Sequence, residues 1–409
     1  MNRDSVAAND GGVRNPPWLF GILSIPYGVF NGILVVLIPF LLRKHGISPD
    51  RIANVIAISS IPNVWYFLWS PVVDTGLLRR TWVLFAAAVS GACGAIAIAA
   101  ASFSLTQLTL LLLAGNVVAM LLSSACGAVL TTLDPAKRGR ASGWYQAGSL
   151  GGGALGAGAA IWIADKVPLP ILAVAAGSLV FLPALAALLI SEDRVQRMGL
   201  IPLFRALGRD VWDVVRARAT LIGLLFFLSP VGSSAVANLI SSVGPDYHAS
   251  DAQVAWVSGL AGGVLSASGC VLGGFICDRL NRMTSYALAG LLSAIFSAWM
   301  ALGSPTPFTY AGGYIGYALA AGIAYAAFTA LELDVLGKRR HAAGTAYSLL
   351  GASGNLPIAY MTWFDGIGYK YSGARGLMAV DSLANAIGGV LLLLFAAYYA
   401  REHLQSPRN

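Results

Sequence analysis

Twelve runs of roughly 20 predominantly apolar residues follow one another along the chain, at about 18–42, 52–69, 82–103, 106–132, 141–163, 169–190, 219–243, 252–276, 284–302, 308–332, 343–364 and 374–400. Runs of this length suit helices in hydrocarbon, where every backbone polar group must pair within its own segment. They occupy nearly all of the 409 residues and leave no room for a soluble domain. The side-chain balance agrees, with 57% hydrophobic residues, 11% charged ones and a mean hydropathy of +0.72. The expected fold class is therefore all-α integral membrane, with twelve transmembrane helices. The first run follows a polar stretch, 1–17, and has no small-residue cleavage pattern, so it reads as a retained helix.

Lys and Arg accumulate in loops that stay in the cytoplasm. Counting alternate loops, 20 of the 26 basic residues share a side with the N-terminus, and six (Arg43, Lys44, Arg51, Lys166, Lys370 and Arg375) lie opposite. Both termini are expected to be cytoplasmic, and the net charge of +8 is a topology signal rather than a nucleic-acid footprint. Cys93, Cys126, Cys270 and Cys277 lie in or beside apolar runs without metal-ligand spacing, so they read as buried free thiols. No metal site or cofactor is expected. Nor is an enzyme, because neither a nucleophile–base cluster nor H-E-x-x-H is present.

The chain repeats itself. Pro26 in Leu23-Ser24-Ile25-Pro26 matches Pro230 in Leu228-Ser229-Pro230, and Asp74 with Arg79 and Arg80 matches Asp278 with Arg279 and Arg282, both at an offset of 204. Leu133-Asp134 with Lys137 and Arg138 matches Leu333-Asp334 with Lys338 and Arg339 at an offset of 200. Two parallel six-helix halves follow, at 18–190 and 219–400, with cytoplasmic tails at 1–17 and 401–409. Between the halves, 191–218 reads as a cytoplasmic linker holding an amphipathic helix, with Leu203, Phe204, Leu207 and Val211 opposite Arg205, Arg209 and Arg216.

Several patterns within this frame carry chemistry. Gly148, Gly152, Gly156 and Ala160 recur every four residues in the fifth run, a face suited to close helix approach, either static or sliding. In the loops after the second and eighth runs, Asp74 with Arg79 and Arg80, and Gly274 with Asp278 and Arg279, are candidates for conformational gating. There each carboxylate can face a helix N-terminus of the other half, near Gly344 for Asp74 and near Gly143 for Asp278. The tenth run places Tyr310, Tyr314, Tyr317, Tyr325, Phe328 and Glu332 on one stripe, which can stack against a ligand or pack on a neighbour. Amides and hydroxyls recur in the apolar runs, and each needs a partner in hydrocarbon. Tyr27, Asn31, Asn63, Tyr66, Asn116, Gln146, Asn238, Tyr325 and Asn355 are accordingly the candidate substrate-binding set. No Lys, Arg or His stands in the middle of any run, which disfavours a polyanionic ligand. Glu332 and Asp381 are acids within apolar runs and are candidates for proton coupling.

Tyr66-Phe67-Leu68-Trp69-Ser70-Pro71-Val72-Val73-Asp74, Arg138-Gly139 leading into a glycine-rich helix, and Gly273-Gly274 with Asp278-Arg279 resemble the AmpG-type permeases. These form part of the peptide, acetyl-CoA and drug transporter branch of the major facilitators. The resemblance implies alternating-access import of a muropeptide-like glycopeptide, coupled to protons, through the inner membrane of a Gram-negative bacterium. It further implies a small-molecule substrate, a lipid environment and a monomer. The chain departs from that family in having twelve runs, where the permease has two more, and in Thr75 where Arg is usual. Siderophores and amphipathic drugs are the alternative substrates, and a non-transporting membrane receptor is the alternative class.

Overall fold

The computed structural model describes residues 15–47, 49–99, 104–164, 166–191, 223, 225–337 and 343–405. The described residues are helical throughout, and no strand occurs among them. The N-terminal half begins with α1 (Pro17–Gly32), which passes through a π-helical stretch (Ile33–Leu37) into α2 (Ile38–Lys44). Next come α3 (Pro49–Ser60) and α4 (Pro62–Trp65), then 3-10 turns at Tyr66–Leu68 and Ser70–Asp74. The half is completed by α5 (Arg79–Ala99), α6 (Leu105–Leu130), α7 (Pro135–Ala164) and α8 (Leu169–Phe181), the last continued as a 3-10 helix over Leu182–Leu189.

The C-terminal half contains α9 (Val236–Val243), α10 (Asp251–Ala255), α11 (Gly262–Arg279), α12 (Arg282–Leu302), α13 (Pro307–Leu336) and α14 (Ala343–Gln405). Helix α14 is a hairpin. Ser372 and Gly373 leave helical geometry, Gly373 at a φ of 60° that favours glycine, and Gly368 and Gly376 face each other across the two legs.

Eight helical segments of the described residues are long and apolar enough to cross a membrane, the last spanning both legs of α14. The remaining three runs lie outside that set. The second is broken at Pro62, which lacks an N–H to continue the ladder, and ends in the 3-10 turn at Tyr66–Leu68. The fifth is α7, thirty residues long and rich in glycine. The seventh begins in residues outside the described ones and is interrupted near Pro230 before α9. The proposed linker helix over 191–218 also lies outside the described residues, apart from Ser191.

Small residues set the packing within each half. A Cβ on Gly148 would fall 1.9 Å from the Gly21 carbonyl oxygen, and one on Gly28 would fall 2.0 Å from that of Ser149, so α1 and α7 touch backbone to backbone. The Gly148, Gly152 and Gly156 face is thus committed to α1 of its own half. In the C-terminal half, Gly269 and Gly322 bring α11 against α13 in the same way. Large apolar side chains such as Val174 (67% exposed), Ile295 (62%) and Leu391 (60%) cover the periphery, as expected of a surface facing lipid tails.

Candidate functional site

The halves meet closely at the end carrying the basic loops. Helix α7 starts at Pro135, six residues before the apolar run itself, with the Asp134 carboxylate accepting from the Ala136 N–H at 3.1 Å. This early start puts Arg138 and Arg140 on the first turns of a helix. Arg140 donates to Asp278 Oδ2 at 2.6 Å. Gly139 and Gly143 leave room for α11: a Cβ on Gly139 would lie 2.4 Å from Asp278 Oδ1, and one on Gly143 would lie 2.5 Å from the Cys270 carbonyl oxygen and 2.8 Å from Gly274 Cα.

Arg138 is buried and donates to the carbonyls of Leu333 at 2.7 Å and Gly337 at 3.1 Å, at the C-terminus of α13 in the other half. A guanidinium there joins the Gly337 N–H on the Leu333 carbonyl and meets the Gly337 carbonyl, which lies past the helix end. Its remaining N–H groups go to Thr131 and Leu133 of its own half. Asp334, 3.7 Å from Arg138, also accepts from Arg282, which donates in turn to the Pro135 carbonyl at 2.6 Å.

On the other side of the interface, Asp74 is buried and paired with Arg79 at 3.1 Å inside its own half, and Arg79 reaches the Ala128 carbonyl at 3.3 Å. The same loop makes a cross-half hydrogen bond between Ser70 and Ser348. The expected approach of Asp74 to the helix start near Gly344 rests on 338–342 and their surroundings, outside the described residues. Arg80 is half-buried and Arg279 is exposed.

Further from the basic end the interface becomes uncharged and polar. Gln146 donates to Thr329 at 2.6 Å, from α7 to α13. Tyr145 shares a hydrogen bond with Ser123 at 2.9 Å and faces Tyr347, whose ring fills the space left by Gly127. Asn355 donates to the Asn63 carbonyl at 2.8 Å, and Asn116 donates to Asn63 Oδ1 at 2.9 Å and to the Ser59 carbonyl at 2.8 Å. One network therefore joins three of the candidate amides across the halves. Tyr27 lies near Tyr325, and Asn31 is half-buried one helical turn further along α1. Tyr66 and Gly351 flank Glu332, which is 1% exposed and whose Oε1 has no hydrogen-bond partner.

The other candidates are placed differently. Asn238 is exposed and donates to Thr362 within its own half at 3.0 Å. Tyr310, Tyr314 and Tyr317 pack in the core of the C-terminal half, Tyr310 donating to the Ile240 carbonyl at 3.2 Å and Tyr317 to Asp381 at 3.1 Å. The tyrosine stripe therefore divides, with only Tyr325 near the partner half. Asp381 is buried inside the C-terminal half, away from the interface. Sequence reasoning missed Arg138, Arg140, Tyr145 and Thr329 as contact residues; the Asp134-Pro135 helix start was the available signal for the two arginines.

No curated protein matches the chain. Its fold is similar to that of the human organic anion transporter MFSD10 (TETRAN), with a TM-score of 0.69, 17% identity and coverage of 93% of this chain and 100% of that one. It is also similar to the proton:xylose symporter XylE bound to 6-bromo-6-deoxy-D-glucose (TM-score 0.71, 14% identity, 93% of this chain and 94% of that one). A third likeness is to the E. coli fucose:proton symporter FucP (TM-score 0.67, 14% identity, 92% and 97%). The Major Facilitator Superfamily pattern matches residues 20–362. A match over most of the length, on a helical fold of two packed halves, makes this chain a member of the Major Facilitator Superfamily: a multi-pass membrane transporter, not an enzyme.

Proposed function

We propose that the chain is an alternating-access secondary transporter with twelve spans and both termini in the cytoplasm, held here with its cytoplasmic end closed. The observation that carries this reading is the cross-half lock at the basic end, where Arg140 meets Asp278, Arg138 meets the end of α13, and Arg282 meets Pro135. Opening toward the cytoplasm requires those contacts to part. The gating set is then Asp278, Gly274, Arg138 and Arg140, with Asp74, Arg79 and Arg80 bracing the loop on the opposite side and Arg279 at the solvent edge.

The substrate is a polar organic solute, for which a muropeptide-like glycopeptide taken up through a bacterial inner membrane fits the residues best. Tyr27, Asn31, Asn63, Tyr66, Asn116, Gln146, Tyr325 and Asn355 offer hydroxyls, amides and rings without a basic side chain among them. Glu332 is the proton-coupling group of this site, because it is an acid enclosed between the halves with no ion pair among the described residues. Uptake in proteoliposomes with and without a pH gradient, screened over cell-wall fragments, siderophores and drugs, tests the reading. Ligand binding without flux would replace it with a receptor.

A further inference from the structure

Two aspartates meet inside the C-terminal half with no positive charge between them. Asp365 lies on the first leg of α14, seven residues before Ser372, and Asp381 lies on the second leg, eight residues after Gly373. At a helical rise of 1.5 Å per residue, both sit roughly 10–12 Å from the hairpin tip, which is at the end opposite the basic loops. Each is 0% exposed, and the two are close enough to interact electrostatically. Tyr317 donates to Asp381 Oδ1 at 3.1 Å, Asn385 donates to the backbone carbonyl of Asp381 at 3.0 Å, and Ser297 of α12 lies beside it.

The remaining three carboxylate oxygens, Asp381 Oδ2 and both of Asp365, have no hydrogen-bond partner, and neither aspartate makes an ion pair among the described residues. The other titratable groups around the pair are tyrosines of α13: Tyr314 stacks on Tyr317, and Tyr325 lies further along. Lys370 and Arg375 belong to the hairpin end, Arg375 near Tyr247.

Two ionised carboxylates side by side in a dry interior repel each other and lose hydration, so such a pair needs a bound positive charge. Divalent ions take six or more oxygens and two charges, whereas a single proton can be shared between two carboxylates and a sodium ion brings the one charge the pair lacks. We propose that Asp365 and Asp381 form a binding site for one monovalent cation, a proton or a sodium ion. The site is separate from Glu332 and does not depend on what the protein transports.

The test uses the full chain in nanodiscs without substrate, in an E332Q background so that the interface carboxylate contributes nothing. Melting temperature is followed across a pH series in sodium-free choline buffer, and across NaCl against choline chloride at fixed pH. A bound cation stabilises the native state in proportion to its saturation, so one arm shifts the melting temperature. The proton arm also shows a protonated-carboxyl stretch in the infrared spectrum, and the sodium arm does not. D365N and D381N, each close in shape to a protonated aspartate, are expected to abolish the shift. Y317F keeps both carboxylates but removes a donor that favours the ionised form, so it should tighten proton binding by about tenfold, the loss of one hydrogen bond to a charged group. If one aspartate variant fails to fold, the other carries the comparison, since either removal breaks the pair. A melting temperature that responds to neither cation, or that responds equally with both aspartates replaced, overturns the proposal.

Discussion

A carboxylate held between Tyr66 of one half and Gly351 of the other, at 1% exposure, is stable in that position only while uncharged or paired. With Glu332 as the proposed coupling group, closure of the halves would depend on its charge. Glu332→Gln keeps the shape and removes the charge, so it should favour the closed basic end. The expected result is loss of uphill, gradient-driven uptake with substrate affinity within about threefold of wild type, since less than ~1 kcal/mol of binding is at stake. Unchanged gradient dependence in proteoliposomes would make the residue structural. Tyr325→Phe tests the substrate site, because it removes a hydroxyl and keeps the ring. Loss of one hydrogen bond to a desolvated ligand costs ~1–3 kcal/mol, or roughly 5- to 150-fold in affinity. Calorimetric affinity and melting temperature measured together separate the cases: early melting with normal binding would assign the hydroxyl to packing. At this scale the sequence was legible where an acid interrupts an apolar run, as Glu332 and Asp381 do. Asp365 escaped because the eleventh run was ended at 364, one residue short, whereas the helix continues to the hairpin at Ser372 and Gly373 and takes Asp365 into the core.

Among the elements, α7 carries two different interfaces on one helix. Gly148 sits against the backbone of α1 in its own half, whereas Gly143, five residues earlier, sits against Cys270 and Gly274 of the other half. Both positions are too tight for a methyl group, but the consequences differ. Gly148→Ala strains a contact needed in every conformation and should lower the melting temperature, at a cost of ~1–3 kcal/mol. Gly143→Ala strains only the closed basic end, so the same penalty should appear as a shift of roughly 5- to 150-fold toward the state open at that end. Thiol labelling from the basic side, read beside melting curves, distinguishes the two. Equal destabilisation by both substitutions would mean that the α7–α11 contact never parts. The glycine stripe was visible in the sequence, but its partner was not: small residues line several faces of α7, and which face meets α1 or α11 depends on the packing of both halves. The repeat was a better guide, since it singled out Asp278, which meets Arg140 of the other half at 2.6 Å.

For the molecule as a whole, a closed basic end and the twenty-to-six division of basic residues make one joint prediction, that the lock faces the cytoplasm. Cys277 reports on it. The thiol is free, 3% exposed and one residue before Asp278, beside Ser285, Arg282 and Asp334 of its own half, and Arg282 in turn reaches the Pro135 carbonyl of the other half. Asp278→Asn removes the charge that Arg140 holds at 2.6 Å while preserving the shape of the side chain. Because Arg140 is 43% exposed, solvent screens the pair, and its loss is worth about 1 kcal/mol rather than the several expected of a buried pair. That corresponds to roughly fivefold in the ratio of open to closed molecules. Maleimide labelling of Cys277 should therefore be slow in the wild type and accelerate about fivefold in Asp278→Asn, with the other three cysteines replaced by alanine. In oriented vesicles the acceleration should appear only when the reagent is on the cytoplasmic side. Substrate affinity should change little, since Asp278 lies outside the polar layer formed by Gln146, Asn63 and Asn355. Acceleration from the opposite face would invert the topology, and an unchanged rate would show that the Arg140–Asp278 pair does not hold the halves together.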